Sequence, residues 1–200
     1  MQFDPANIEQ DARTILREWV TAESLRKHCE AVAASMRYMA RKHGEDEALW
    51  TATGLLHDAD FEKYSSLELS ETGHPFVIVR WLGEHGWPTT VTRAILSHAD
   101  YSGVTRETPM EKTLYATDEL SGFVTAVALV RPSKSIHDVD VRSVKKKLKD
   151  KTFAAKVNRD DITRGAEELG LPLDDLIGDV IAALRAAAPR LGLEGTAATS

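Results

Sequence analysis

The sequence predicts an all-α fold, and two observations lead to that prediction. Apolar residues recur at intervals of three and four along most of the chain, as they do on the buried face of an amphipathic helix. No segment shows the alternation of apolar and polar residues that is typical of a half-buried strand. We therefore expect a bundle of helices joined by loops.

Signals at the helix ends divide the chain into successive helices. Pro109 occupies a first helical position, Gly44 follows a basic last turn, and the pattern from Thr108 to Glu111 is a capping box. Residues 59–72 lack strong periodicity, so we expect a loop or short irregular helix that could cover a substrate pocket. The predicted helices cover residues 5–19, 24–43, 46–58, 75–85, 88–98 and 109–130, and three or four more lie within 138–190.

Composition narrows the classes of function. With 42% hydrophobic residues the 200-residue chain can bury a core, and its net charge of −6 predicts no general attraction to nucleic acid or to acidic membranes. The single cysteine, Cys29, excludes an intramolecular disulfide, and neither a signal peptide nor a membrane-spanning run is recognisable. We expect a cytoplasmic protein with a small-molecule partner, while its oligomeric state stays open.

The adjacent residues His57 and Asp58 close a helix whose other residues include a buried apolar face. Burying an imidazole together with a carboxylate is costly unless something pairs them, and a divalent metal ion does so. Taken alone, such a pair is most often an accident at a helix end. Further ligands are therefore needed before a metal site is indicated.

Four more residues supply that support. His28 borders the apolar stripe of its helix, His98 lies on the apolar face of a later helix, and Asp118 adjoins the buried side of a long one. His74 directly precedes a helix that starts with proline. A satisfied core histidine is the commoner explanation for each histidine singly, whereas the set in this order favours a metal site. Glu119, beside Asp118, is expected to face solvent.

The order of these residues resembles that of the HD-domain superfamily of metal-dependent phosphohydrolases. The signature of that family is a distant His, an adjacent His-Asp pair and a later Asp, and two additional histidines mark binuclear members. The resemblance covers residues 24–131 and implies the all-helical HD bundle, here with additional C-terminal helices. It implies one metal ion held by His28, His57, Asp58 and Asp118, and a second held by the bridging Asp58 with His74 and His98.

The resemblance also implies a division of the chain. Residues 1–23 would form an N-terminal helix, residues 24–131 the HD core, and residues 132–191 a helical extension packed on that core. The small and polar residues 192–200 are expected to form a flexible tail.

The function implied is hydrolysis of a nucleotide or another small phosphate ester by a metal-bound hydroxide. The cofactors would be two divalent ions drawn from iron, manganese, zinc, cobalt, nickel or magnesium. Besides the bridging Asp58, Asp60 or Glu62 could orient the attacking water or take its proton, although a solvated acidic loop is the commoner interpretation. Lys145–Lys149 and Arg159 could contact substrate phosphates, against the commoner interpretation of a solvated basic face.

Two departures from the family pattern limit the prediction. Residues 57–60 read His-Asp-Ala-Asp instead of the common His-Asp-Ile-Gly. No Gly-Tyr-Pro follows His98, which counts against the cyclic-dinucleotide phosphodiesterase branch. Two alternatives stay open: a mononuclear nucleotidase in which His74 and His98 bind substrate phosphate, and a non-catalytic sensor that binds metal or nucleotide.

Overall fold

The computed structural model describes residues 2–195, and within that range the regular secondary structure is helical, which confirms the all-α prediction. Two short 3-10 helices, Asp100–Ser102 and Ile136–Asp138, lie between the α-helices. None of the helices in this range is both long enough and apolar enough to cross a membrane. The α-helices are α1 Ile8–Trp19, α2 Glu23–His43, α3 Glu47–Leu56, α4 Phe76–Glu84, α5 Thr89–Ser97, α6 Pro109–Leu129, α7 Val141–Leu148, α8 Arg159–Leu169, α9 Leu173–Ala186 and α10 Ala188–Leu191.

The local signals in the sequence act at the helix ends. Thr108 and Glu111 form the expected capping box, in which the Thr108 hydroxyl accepts from the Glu111 N–H and the Glu111 carboxylate accepts from the Thr108 N–H. Gly44 takes the left-handed conformation that ends α2, with φ of 72°. Because such signals depend on neighbouring residues only, the predicted and observed ends agree within a few residues.

Helix α2 contributes to two large buried clusters, and α6 contributes to the second of them. Leu55 of α3 and Ile95 of α5 belong to a cluster that α1, α2 and α4 complete. A second cluster joins α2 and α6 to the C-terminal helices, through residues such as Phe123, Ile162 and Leu184. Helices α7 to α10 are thus packed on the preceding helices, while the residue boundaries between the predicted parts stay predictions.

Two glycines allow helices to approach at backbone distance. A Cβ atom added at Gly54 of α3 would lie 2.7 Å from the Cα of Ala33 in α2, and one added at Gly165 of α8 would lie 2.6 Å from the Cα of Ala116 in α6. Any side chain at these positions would push the helix pairs apart. The two contacts therefore determine how closely α3 packs on α2 and α8 on α6.

The C-terminal segment departs from the expectation of a flexible tail starting at residue 192. Leu193 is buried, and its carbonyl accepts a hydrogen bond of 2.9 Å from the N–H of Ile136. Ser135 forms an isolated antiparallel bridge with Glu194. Packing against the start of the extension thus orders these residues. The remainder of the expected tail, residues 196–200, lies outside the described residues.

Candidate metal centre

The six predicted ligands come together although they are distributed over five segments of the chain. Each ligand lies near a helix end or on a helix face. The packing of the helices brings their side chains close together. The ligands and their positions are His28 in α2, His57 at the end of α3, Asp58 in the following turn, His74 just before α4, His98 at the end of α5 and Asp118 in the middle of α6.

Asp58 lies at the centre of four imidazoles, and its two oxygens face different pairs. Its Oδ2 is 3.6 Å from Nε2 of His28 and 3.6 Å from Nε2 of His57. Its Oδ1 is 3.3 Å from Nε2 of His74 and 3.6 Å from Nε2 of His98. In each of the two resulting groups, three potential ligand atoms lie within 4.8 Å of one another.

Asp118 joins the first of these groups. Its Oδ1 is 3.0 Å from Nε2 of His28 and 3.4 Å from Nε2 of His57. Because Asp118 lies in the middle of the 21-residue α6, flanked by buried residues, the carboxylate is presented from a well-packed helix. The first group therefore contains two imidazoles and two carboxylates.

Three of the four imidazoles are held in place through their other nitrogen. Nδ1 of His57 and Nδ1 of His98 each bond to the backbone carbonyl three residues earlier in the chain. Nδ1 of His74 bonds to Oδ1 of Asp60 at 2.7 Å. With Nδ1 donating in each case, Nε2 is left as a lone-pair donor that points toward Asp58.

These residues fit a divalent metal ion. Nε2 of His57 is fully buried and has no hydrogen-bond partner, a costly arrangement unless a ligand uses its lone pair. Burial opposes the charged imidazole, but the carboxylates of Asp58 and Asp118 outweigh burial and raise the pKa of His57 to about 9. The site thus combines nitrogen and oxygen donors with a strong negative potential, which a divalent cation satisfies.

Asp60 lies behind His74 and does not line the cleft. It is fully buried, and besides His74 it accepts a hydrogen bond of 2.9 Å from the N–H of Ile78 in the first turn of α4. This placement corrects the expectation that Asp60 contacts the attacking water. Its carboxylate orients a potential ligand and satisfies a free N–H at the start of a helix.

Glu62 also lies outside the cleft wall, where the expected catalytic role would have placed it. Its exposed carboxylate accepts hydrogen bonds from the N–H of Thr21 at 2.7 Å and of Ala22 at 3.0 Å, just before α2 begins. The expected catalytic role of Glu62 is therefore corrected to a capping role. Sequence reasoning had no means of finding this contact, because about forty residues separate the partners.

A cleft of about 670 Å³ opens beside the ligands. Its wall includes aromatic rings, and the hydroxyl of Tyr101 donates a hydrogen bond of 2.9 Å to the carbonyl of His74. No periodicity or spacing distinguished the wall residues in the sequence, because they come from loops, from α6 and from the C-terminal extension. The wall residues that the sequence did not assign to the site are Phe61, Leu67, Ala99, Asp100, Tyr101, Tyr115, Glu119, Lys156, Asn158 and Asp161.

Glu119 differs most from its sequence-based expectation. The expectation was a solvated side chain, but Glu119 is half-buried and lines the cleft. Burial and the neighbouring charge of Asp118 raise the pKa of Glu119 to about 7, against the opposing effects of the Asn158 N–H and of His28. The cleft thus contains carboxyl groups beyond those of the predicted ligands.

The basic residues expected near substrate lie elsewhere. Lys145, Lys146 and Lys149 line a separate groove, and Lys145 pairs with Asp174 at 2.7 Å. Arg159 directs its guanidinium to backbone carbonyls and is absent from the cleft wall. These lysines therefore form a basic face outside the cleft, as the commoner interpretation of the sequence predicted.

Comparison with known proteins agrees with the geometry. The family model described as the HD domain matches residues 25–122, a range that contains all six potential ligands. Searches of curated proteins and of solved structures found no match. The family assignment therefore depends on the domain model, and HD domains bind divalent metals.

Proposed function

The chain belongs to the HD-domain superfamily of metal-dependent phosphohydrolases through residues 25–122, and from this premise we propose that it hydrolyses a nucleotide or another small phosphate ester. The proposal depends chiefly on one observation. Each oxygen of Asp58 faces its own pair of imidazoles, beside a cleft large enough for a small organic phosphate. A complete donor set beside an open cleft supports an enzyme more than a sensor that has lost part of its site.

The donor arrangement supports two metal positions that share Asp58. The first would be held by the facing side chains of α2, α3 and α6, and the second by the imidazoles before α4 and at the end of α5. Divalent ions bound there would activate water and neutralise charge on the phosphate oxygens. The proposed ligands are His28, His57, Asp58 and Asp118 for the first ion and Asp58, His74 and His98 for the second.

The chain itself contributes orientation and charge balance. The hydrogen bonds at Nδ1 hold His57, His74 and His98 so that their Nε2 atoms converge without rearrangement. Only Asp58 and Asp118 supply negative charge among the proposed ligands. Two divalent ions would leave a local surplus of about two positive charges, which favours a phosphate over neutral molecules.

Water is the favoured nucleophile. Among the described residues that line the cleft there is no serine, threonine or cysteine. Cys29, next to His28 in the chain, is fully buried, and burial raises the pKa of its thiol further above the ordinary value. The described wall of the cleft therefore offers no serine, threonine or cysteine nucleophile, and its histidines are proposed metal ligands together with Asp58 and Asp118, so a metal-activated water is the favoured attacking group.

The proposal is tested with a panel of phosphate esters and anhydrides, assayed with each candidate metal in water labelled with heavy oxygen. We expect metal-dependent turnover with the label in the released phosphate, or in the phosphate-bearing product of a diester. Asp118→Ala should lower kcat by about a hundredfold or more through loss of a metal ligand. Asp174→Asn, which changes an exposed carboxylate outside the cleft, is the matched control.

Metal content measured on the same samples separates the alternatives. Two ions per chain support the binuclear site, whereas one ion with full activity would favour the mononuclear nucleotidase. Metal binding without turnover on any compound would favour the sensor. If Asp58→Ala retained wild-type metal content, the proposed ligand set would be wrong.

A further inference from the structure

One part of the cleft wall comes from the C-terminal extension, outside the residues that match the HD domain. Lys156, Asn158 and Asp161 belong to this part, which leads into and includes the first turn of α8. Lys156 is the only lysine or arginine among the described residues that line the cleft. The extension thus adds one positive charge to a cleft whose other charged groups outside the ligand set are acidic.

The segment that carries Lys156 is held by a partly buried network of hydrogen bonds. The guanidinium of Arg159 donates to the carbonyls of Leu148 at 3.1 Å, Asp150 at 3.0 Å and Val157 at 3.2 Å, and also to that of Phe153. Four carbonyls, from the last residue of α7 and from the loop that follows it, therefore converge on one side chain. Such convergence fixes the path of the loop between α7 and α8 and limits the positions that it can adopt.

Aromatic packing and backbone conformation add to this restraint. The ring of Phe153 packs edge-on against that of Phe123, with centroids 5.5 Å apart, and Arg159 lies 5.4 Å from the Phe123 centroid. Ala154 takes a left-handed conformation, with φ of 44°, which an alanine adopts only when its surroundings impose it. Asn158 then caps α8 through its side chain. The loop is consequently a built element of the cleft wall.

The charge of Lys156 is available to a ligand. In the described part of the chain no carboxylate forms an ion pair with it, whereas two of the three cleft acids outside the proposed ligand set, Asp100 and Asp161, have other cationic partners. Asp100 pairs with Arg106 at 2.8 Å, and Asp161 pairs with Arg164 at 2.6 Å. A negative group on a bound molecule would therefore meet a lysine that is not already neutralised.

We propose that Lys156 binds a second anionic group of the substrate. The preferred substrate class is then a phosphate ester that carries a further phosphoryl group or a carboxylate, with the reacting phosphate at the metal centre and the second anion at Lys156. This inference rests on the proposed function of the cleft. In this division of roles, the HD domain supplies the metal ligands. The extension supplies substrate specificity through Lys156, the only lysine or arginine of the described cleft wall.

Binding of non-hydrolysable phosphonates tests this inference independently of turnover. Methylphosphonate has one anionic group, methylenediphosphonate has a second phosphonate, and phosphonoacetate has a carboxylate as its second anion. Their affinities are measured by calorimetry on the full chain loaded with manganese. The variants are Lys156→Ala, Lys156→Arg and, as a matched control, Lys146→Ala, because Lys146 lies in the separate groove.

We expect Lys156→Ala to weaken binding of a two-anion ligand by about tenfold, the effect of one hydrogen bond to a charged group, while methylphosphonate binding stays unchanged. Lys156→Arg should retain most of the affinity, and Lys146→Ala should behave as wild type. The ligand with the larger loss identifies the second anion as phosphoryl or carboxylate. Because chelation of the metal by two anions persists in Lys156→Ala, the comparison isolates the lysine.

Several results would overturn the inference. They are equal losses for all three ligands, no loss in Lys156→Ala, the same loss in Lys146→Ala, or no binding of any phosphonate. Absence of turnover on every phosphate compound would instead count against the proposed hydrolysis, because the phosphonate measurements need no turnover. The two failures are thus distinguishable.

Discussion

Replacing Gly54 by alanine tests how the helix packing builds the metal centre. The new Cβ would lie 2.7 Å from the Cα and 2.9 Å from the N of Ala33, where ordinary contact begins at 3.4 Å. Both neighbours are backbone atoms, so no side-chain rotation can relieve the overlap. Helix α3 must move away from α2 by about 0.7 Å, the difference between 3.4 and 2.7 Å.

The expected loss of stability follows from two opposing effects. Overpacking a dense interior costs about 1–3 kcal/mol, whereas replacing glycine by alanine inside a helix gains about 1 kcal/mol. Because the overlap is with backbone atoms that cannot rotate away, the cost lies in the upper part of the overpacking range, about 2–3 kcal/mol, and we expect a net loss of about 1–2 kcal/mol in the free energy of unfolding. For a chain of this size that corresponds to a fall in Tm of about 2–8 °C.

The same displacement should disturb the metal centre. The carbonyl of Gly54 accepts the Nδ1 hydrogen bond of His57 at 2.8 Å, and Asp58 follows directly, so both move with α3 relative to His28. Metal ligation tolerates errors of only about 0.2 Å, and a disturbed supporting contact typically costs tenfold or more in affinity. We therefore expect metal affinity to fall by about tenfold, in addition to the loss of stability.

Urea unfolding of the metal-free protein and calorimetric titration with manganese measure the two effects separately. The control is Gly178→Ala in α9, where the nearest atom to a new Cβ is Val141 Cγ2 at 3.9 Å. That variant should be as stable as wild type or more stable by up to about 1 kcal/mol. A Gly54→Ala protein with wild-type stability and metal affinity would refute the packing argument.

Three further predictions concern carboxylates. Asp60→Asn should weaken metal binding by about tenfold, because His74 loses the carboxylate that orients its ring. The measurement is the metal content of the protein at limiting metal, and an unchanged content would contradict the orienting role of Asp60. Glu62→Ala should lower the Tm through loss of its contacts with the N–H groups of Thr21 and Ala22, and a fall in kcat at saturating metal would restore a catalytic role. Burial opposes ionisation of Glu111, but hydrogen bonds from two backbone N–H groups and the charge of Arg93 outweigh it and lower the pKa. A lowered folded-state pKa means that this stabilisation is present above the ordinary glutamate value of about 4.3 and is lost as the pH falls through the folded-state pKa. The stability difference between wild type and Glu111→Gln, about 1 kcal/mol at neutral pH, should therefore shrink on acidification, and a constant difference between pH 7 and acid would contradict it.

The helices and the types of ligand could be predicted from the sequence because both depend on local information. Periodicity placed His98 on a buried face, and the capping box of Thr108 and Glu111 marked the start of α6. The His57–Asp58 pair was visible because the two residues are adjacent and close an apolar helix. Each of these signals lies within a few residues of the feature that it predicts.

Local patterns could not predict which atoms face one another or what the remaining polar residues do, because both depend on how the helices pack. Asp60 and Glu62 belong to the same acidic loop, yet one is buried behind a histidine and the other caps α2 from the surface. Lys156 enters the cleft, whereas Arg159, three residues later, holds the loop that carries it. These roles depend on contacts between segments far apart in the chain, and such contacts exist only after the helices pack. Local patterns in the sequence therefore determined the secondary structure and the ligand types, and packing determined the geometry of the site.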